Sequence, residues 1–322
     1  MARYRGSSSS SRCFNSSYYG SYDYAQYACT VVFAVVYLGI AIGFCVTRRK
    51  FGRGKHLVGL PYMFALLFVF VEQIIDFVWS TLSACEAANT SMETAYDLRS
   101  ALAVFDSLSI FLLLFVAIWT LNNMLRKQLG HTSAMLKIIL MIDLVILGVL
   151  LLVVTVLICY SYHIISRSIY ESPANMGIIL SASQYIVLAF HAVTVISILG
   201  SGALSLVAAR SLKKKHIANT SFIVWIAVMA LAIFAHSLIS IITTAQILTS
   251  FLYYNYGGRM AAYWFSSFFY ALAFVAIIFI AKNRAWDSAT AHVVEPHSYG
   301  AAEQSYAYDY QQPPAAYGRA HA

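Results

Sequence analysis

Seven apolar runs, at residues 27–47, 57–80, 100–122, 136–160, 178–209, 219–250 and 259–281, constrain this chain more than any other feature in it. Crossing about 30 Å of hydrocarbon takes roughly 20 helical residues, and each run supplies them. Hydrocarbon offers no water to an open backbone amide, so each run must close its hydrogen bonds within itself as a helix. The expectation is an all-α membrane protein, a seven-transmembrane helix bundle over residues 27–284. Composition agrees: of 322 residues, 60% are hydrophobic and 11% charged. That balance excludes an ordinary soluble enzyme. The fifth and sixth runs exceed the thickness they must cross, so those helices should tilt or project.

Orientation is read from lysine and arginine, which short cytoplasmic loops retain. Arg48, Arg49, Lys50, Arg53 and Lys55 follow the first run. Arg126, Lys127 and Lys137 lie between the third and fourth, and Arg210, Lys213, Lys214 and Lys215 between the fifth and sixth. The alternate loops hold Glu86, Glu93, Asp97 and Glu171 and few bases. The predicted topology therefore places the N-terminus outside and the C-terminus in the cytoplasm. Arg3, Arg5 and Arg12 oppose it with a smaller positive cluster. The formal charge of +8 is spread over these inter-helix clusters. It implies membrane lipid as a partner and gives no basic domain for nucleic acid.

Two glycosylation sequons, at Asn15 and Asn89, fall on the predicted outer side, while that at Asn219 falls inside. Residues 1–26 contain no apolar leader, so the first run is expected to target the chain to a plasma or secretory-pathway membrane. Cys85 and Cys159 are placed where a disulfide could tie the second loop to the fourth run, with free thiols as the alternative. Residues 1–26, rich in Ser and Tyr, and 285–322, rich in Ala, Tyr, Gln and Pro, bury too little apolar surface to order themselves and are expected to be disordered tails.

The informative residues are the polar ones inside the runs. A charge at the centre of a membrane helix costs about 2.5–3.5 kcal/mol on insertion scales, so it should face the bundle interior. Glu72 and Asp76 lie four apart on one face of the second helix, Asp106 lies on the third, and Asp143 on the fourth. Depth along the helices puts Asp76 and Asp106 in the outer half and Glu72 near the midplane. Asp143, near the inner end, is expected to snorkel or to meet Lys137. His191 and His236 sit near the middle of the fifth and sixth runs, and no basic side chain lies in any span core. Glu72, Asp76 and Asp106 are thus the predicted anchors of an outer pocket for a cationic or hydrogen-bond-donating ligand. Their alternative is protonated interhelical bonding. The histidines are expected to bond between helices. Two imidazoles fall short of the three or four ligands zinc needs, so no metal or other cofactor is expected.

Small residues at Ser197, Gly200, Ser201, Gly202 and Ser205 should let the fifth helix approach a neighbour closely. Aromatics near span ends, including Tyr62 and Trp286, read as an interfacial belt.

Seven spans, outer sequons, basic inner loops and a Tyr, Ala and Pro-rich tail resemble heptahelical receptors, and especially the fungal seven-transmembrane, receptor-like integral membrane proteins. The resemblance covers residues 27–284. It departs at the inner end of the third helix, where rhodopsin-like receptors carry Asp-Arg-Tyr and this chain has Asn122-Asn123-Met124-Leu125-Arg126. The seventh run also has no lysine for a retinal Schiff base and no Asn-Pro-x-x-Tyr sequence. What the resemblance implies is a receptor-like, non-enzymatic membrane protein that senses a ligand in its outer half. Arg210, Lys213, Lys214 and Lys215 would then meet a cytoplasmic signalling partner. The other functions open to such a sequence are a transporter or proton-coupled permease, using the carboxylates and histidines as a relay, and a scaffold acting through its tail.

Overall fold

The computed structural model describes residues 21–48, 52–84, 92–130, 133–167, 176–249 and 256–288. The sequons at Asn15 and Asn89, Cys85 and most of both tails lie outside these residues. The α-helices are α1 (Ser21–Thr47), α2 (Leu60–Ala84), α3 (Met92–Leu114), α4 (Leu121–Leu129), α5 (Ala134–Arg167), α6 (Met176–Lys214), α7 (Thr220–Thr249), α8 (Tyr256–Ala281) and α9 (Ala285–Ser288). Seven stretches among the described residues are long and apolar enough to cross a membrane, and each predicted run coincides with one of them. The architecture is that of a multi-pass membrane protein.

Consecutive long helices pack side by side from α1 to α8, and α8 closes the ring onto α1. The third span, α3 continued by α4, also packs against α6 and lies toward the inside. Between α3 and α4 the helix widens to a π-helix over Phe115–Thr120. Stretches of this kind are rare and cluster at functional sites. Outward, α5 exposes Met135, Leu152 and a ridge of Ile and Val along its length.

Thr47, Leu60, Leu129, Ala134, Lys214, Thr220 and Ala281 bound their helices at one end of the bundle, together with the basic clusters. This basic end is tightly built. Gly130, with φ of 75°, caps α4. His216, with φ of 58°, does the same for α6: the His216 N–H donates to Lys213 and that of Ile217 to Leu212. A left-handed residue closing two such bonds satisfies carbonyls the helix end would otherwise leave open. Asn219 caps α7, accepting from the Phe222 N–H at 2.9 Å and from Asn283 Nδ2 at 3.1 Å.

Two expectations for the helix ends change here. Helix α1 begins at Ser21 rather than 27, because a helix that needs about 20 residues for hydrocarbon continues through the interfacial Tyr-rich segment. The tail does not begin at 285: Ala285–Ser288 form α9, and Trp286 is 1% exposed. Its Nε1–H donates to the Ile280 carbonyl at 2.7 Å and its ring meets Phe222 edge-on. Gly54, in the 3-10 turn Gly52–His56, lies against Ala281 and Trp286, where a β-carbon would fall on the Ala281 carbonyl oxygen. Trp286 is therefore core and not belt. So is Tyr62, fully buried between α1 and α8, which donates to the Phe274 carbonyl at 3.1 Å.

Candidate functional site

The second helix turns Glu72 and Asp76 into the ring, and the third turns Asp106 toward them. Asp106 and Asp76 both act electrostatically on Glu72, and since all three are acids the interaction is repulsive. All three are partly buried. The groups around them are hydroxyls. Thr30 of α1, fully buried, donates to Asp76 Oδ2 at 2.7 Å. That length is typical of a hydroxyl on a carboxylate. Tyr263 of α8 reaches the same oxygen at 3.4 Å. Tyr37 of α1 lies within the fields of Glu72 and Asp106, and so does Tyr270 of α8. The Tyr270 hydroxyl donates to Ser109 Oγ at 2.7 Å, and Ser109 donates to the Ala65 carbonyl at 2.9 Å. Cys29 is buried beside Thr30, with the Ser267 hydroxyl in bonding reach of its thiol.

Four helices, α1, α2, α3 and α8, thus contribute to one cluster. It reaches from the middle of the bundle, at Glu72, into the half away from the basic end, where Asp76 and Asp106 lie. The three carboxylates named from sequence come together there. The tyrosines were missed because a membrane aromatic reads as belt or filler. The available signal was spacing: Tyr263 and Tyr270 are seven residues apart, as are Thr30 and Tyr37, so each pair shares a helix face.

The histidines stand behind this cluster. His236 Nδ1 lies 3.2 Å from the Ser266 carbonyl and 2.9 Å from its hydroxyl, tying α7 to α8. Its ring stacks on Tyr270 at 5.0 Å. His191, on α6, packs edge-on against Phe190, and its buried Nδ1 has no protein partner. Among the described residues, no three of His, Cys, Asp and Glu gather as a metal ion would require. Cys159 directs its thiol at the Ser100 carbonyl, 3.8 Å away.

Asp143 departs from expectation. Ser197 of α6 donates to its Oδ1 at 2.6 Å, so its partner lies across the α5–α6 interface and is not Lys137. Asp143 faces a helix neighbour that can donate, which removes the need to snorkel. The small-residue face of α6 is buried at Ser197, Ser201, Gly202 and Ser205, and a β-carbon on Gly202 would stand 3.1 Å from that of Ala230 on α7. Gly200 points elsewhere, into open space.

A second polar cluster lies toward the basic end. Asn122, 1% exposed, donates to the Ile118 carbonyl at 2.9 Å and to that of Ser201 at 3.4 Å. Asn122 Oδ1, Arg126 Nε, Gln128 Oε1 and Ser205 Oγ are buried atoms with no protein partner. Ordered water is what usually satisfies such atoms. Arg210, Lys213, Lys214 and Lys215 are exposed at the adjoining end of α6. Between the two clusters, the buried side chains of the third span are Leu113, Leu114, Val116, Ala117, Ile118 and Leu121, all apolar. From Ser109 to Asn122 this apolar stretch is about 20 Å long.

No known protein family, curated protein or solved structure shows recognisable similarity to this chain.

Proposed function

We propose that this multi-pass protein is a receptor-like heptahelical bundle, with its N-terminus outside, that senses a cationic or hydrogen-bond-donating ligand at the Glu72–Asp76–Asp106 cluster. The observation that carries this reading is the convergence of three like charges from α2 and α3, ringed by Thr30, Tyr37, Tyr263 and Tyr270. Buried carboxylates need protons, hydration or an external cation, and a ligand cation would lower the repulsion among all three at once. Tyrosine rings offer such a cation their faces and their hydroxyls. A ligand shifts the bundle only as far as it prefers one helix arrangement. The π-helix at Phe115–Thr120 connects the acid cluster to Asn122 and Arg126, and is the segment of the third span suited to change its winding. The basic end of α6 is then the surface for a cytoplasmic partner.

A proton-coupled permease is the second reading, favoured by Tyr270, which touches His236 and lies in the field of the acids. The apolar stretch between Ser109 and Asn122 weighs against a polar path through the third span. The two readings separate in one preparation. Purified protein in nanodiscs is screened by thermal shift against organic amines and matched neutral and anionic compounds, and the same protein in liposomes is assayed with an internal pH dye. The receptor reading expects amines alone to stabilise the protein, the effect lost in Glu72→Gln and Asp106→Asn, with no proton flux. Flux abolished by Glu72→Gln would establish the permease. Neither effect, with altered expression only, would reduce the cluster to interhelical bonding.

A further inference from the structure

We propose that the groove between α3 and α5 binds one acyl chain of a membrane lipid, drawn from the leaflet on the acid-cluster side. The groove has a volume of about 320 Å³. It runs from Val104 and Val156 down to Phe111 and Gly148, which is seven residues of α3 or about 10 Å. Its mouth is framed by Val104, Leu108, Leu152 and Val156, which are 37%, 41%, 65% and 58% exposed. These residues belong to two helices long and apolar enough to cross a membrane, so the mouth is continuous with the lipid-facing surface. Lateral access from the bilayer is what this geometry offers.

The lining selects hydrocarbon. Its only polar groups are the hydroxyls of Ser107 and Thr155, and both are occupied: Thr155 Oγ1 stands 2.7 Å from Ser107 Oγ and 2.8 Å from the Leu151 carbonyl. A sterol hydroxyl or a polar ligand would find no charged group in the groove, whereas an acyl chain needs none. Space left empty in a bilayer forfeits dispersion contacts along its walls, and a flexible chain restores them. Gly148 creates the room at the closed end. A β-carbon there would already stand 3.1 Å from the Phe111 ring, so any side chain at this position intrudes on the groove.

The site backs onto the acid cluster. Ser107 forms the groove wall and the preceding residue, Asp106, acts on Glu72 from the same turn of α3. A chain lodged between α3 and α5 therefore bears on the helix that carries one of the three carboxylates. Lipid composition would adjust the cluster from behind, whichever reading of the cluster holds.

The test uses the full chain in nanodiscs of phosphatidylcholine with a diazirine partway along one acyl chain. Illumination, digestion and mass spectrometry then map the adducts. Labelling of Val104, Leu108, Phe111 and Leu152 is expected several times above that of Ile138, Ile142 and Val145, which are exposed on the open ridge of α5. Gly148→Leu, which fills the groove, should bring the label down to the ridge level. Leu108→Trp fills it from the mouth and serves where Gly148→Leu fails to fold. Equal labelling of groove and ridge, or labelling undiminished in a folded filled variant, overturns the proposal. Loss of the label on adding a sterol overturns it too, by assigning the groove to a rigid ring system.

Discussion

Replacing Thr30 by Val removes a hydroxyl from a fully buried side chain and keeps its shape. The hydroxyl is the near donor to Asp76 Oδ2, at 2.7 Å, and the other donor to that oxygen, Tyr263, stands at 3.4 Å. Bonds to charged groups contribute about 1.5–3 kcal/mol in soluble proteins, but interhelical polar contacts in membranes average about 0.6 and reach about 1.7 kcal/mol. A short bond on a fully buried donor belongs near the upper membrane figure, so Thr30→Val should cost about 1.5 kcal/mol. For a bundle of this size, at about 2 °C per kcal/mol, that is a fall of about 3 °C in thermal midpoint. The partner substitution is not its mirror image. In Asp76→Ala the Thr30 hydroxyl falls back on the Gln26 carbonyl of its own helix, already 3.3 Å away, so only the longer, 3.4 Å contact of Tyr263 loses its acceptor. Removing the acid also removes a desolvation cost that the bond only partly offsets. Thermal unfolding of wild type, both single variants and the double variant in nanodiscs gives the coupling directly. Thr30→Val should be costly in the wild type and nearly silent once Asp76 is gone. A coupling inside the roughly 0.3–0.5 kcal/mol scatter of non-interacting sites would refute the claim that α1 holds the acid cluster.

The basic end supplies three further tests, each read by thermal unfolding of the purified protein. His216→Gly should raise stability by about 0.5–1 kcal/mol, because a left-handed residue with a side chain costs about 1–2 kcal/mol and glycine returns part of that as unfolded-state entropy. His216→Ala should give no gain. Asn219→Ala removes the α7 cap and the contact to Asn283, lowering stability by about 1 kcal/mol, whereas Asn219→Asp keeps an acceptor for the Phe222 amide and should cost less. In Gly54→Ala the new β-carbon meets the Ala281 carbonyl, a rigid neighbour, so the Gly52–His56 turn must lift off Trp286 at about 1–3 kcal/mol. Limited proteolysis within that turn should then quicken, and unchanged cleavage would count against the close packing.

The seven spans were legible because hydrophobic length is a one-dimensional property, and 27–47 or 259–281 announces itself without reference to any neighbour. The carboxylates were legible for the same reason, as expensive residues in apolar surroundings. What surrounds them depends on helix rotation and pairing, which no single run encodes. Asp143 shows the difference: Lys137 is nearer in sequence, yet Ser197, 54 residues away, is the donor that rotation brings to it. Tyr62 and Trp286 show it again, since both sit at span ends where aromatics favour the interface, and both are drawn inward by a carbonyl that accepts from them. The π-helix at Phe115–Thr120 has no signature in its apolar residues. Its place is nonetheless informative. It falls inside the apolar stretch that separates the acid cluster from Asn122, where no buried polar side chain of the third span opposes rewinding. A change of one residue in helical register there would rotate Asn122 and Arg126 by about 100° relative to Asp106 while Asp76 kept its bond to Thr30. Polar groups at both ends with an apolar, unevenly wound segment between them suit the third span to transmitting rotation, and on that ground the receptor reading stands ahead of the permease.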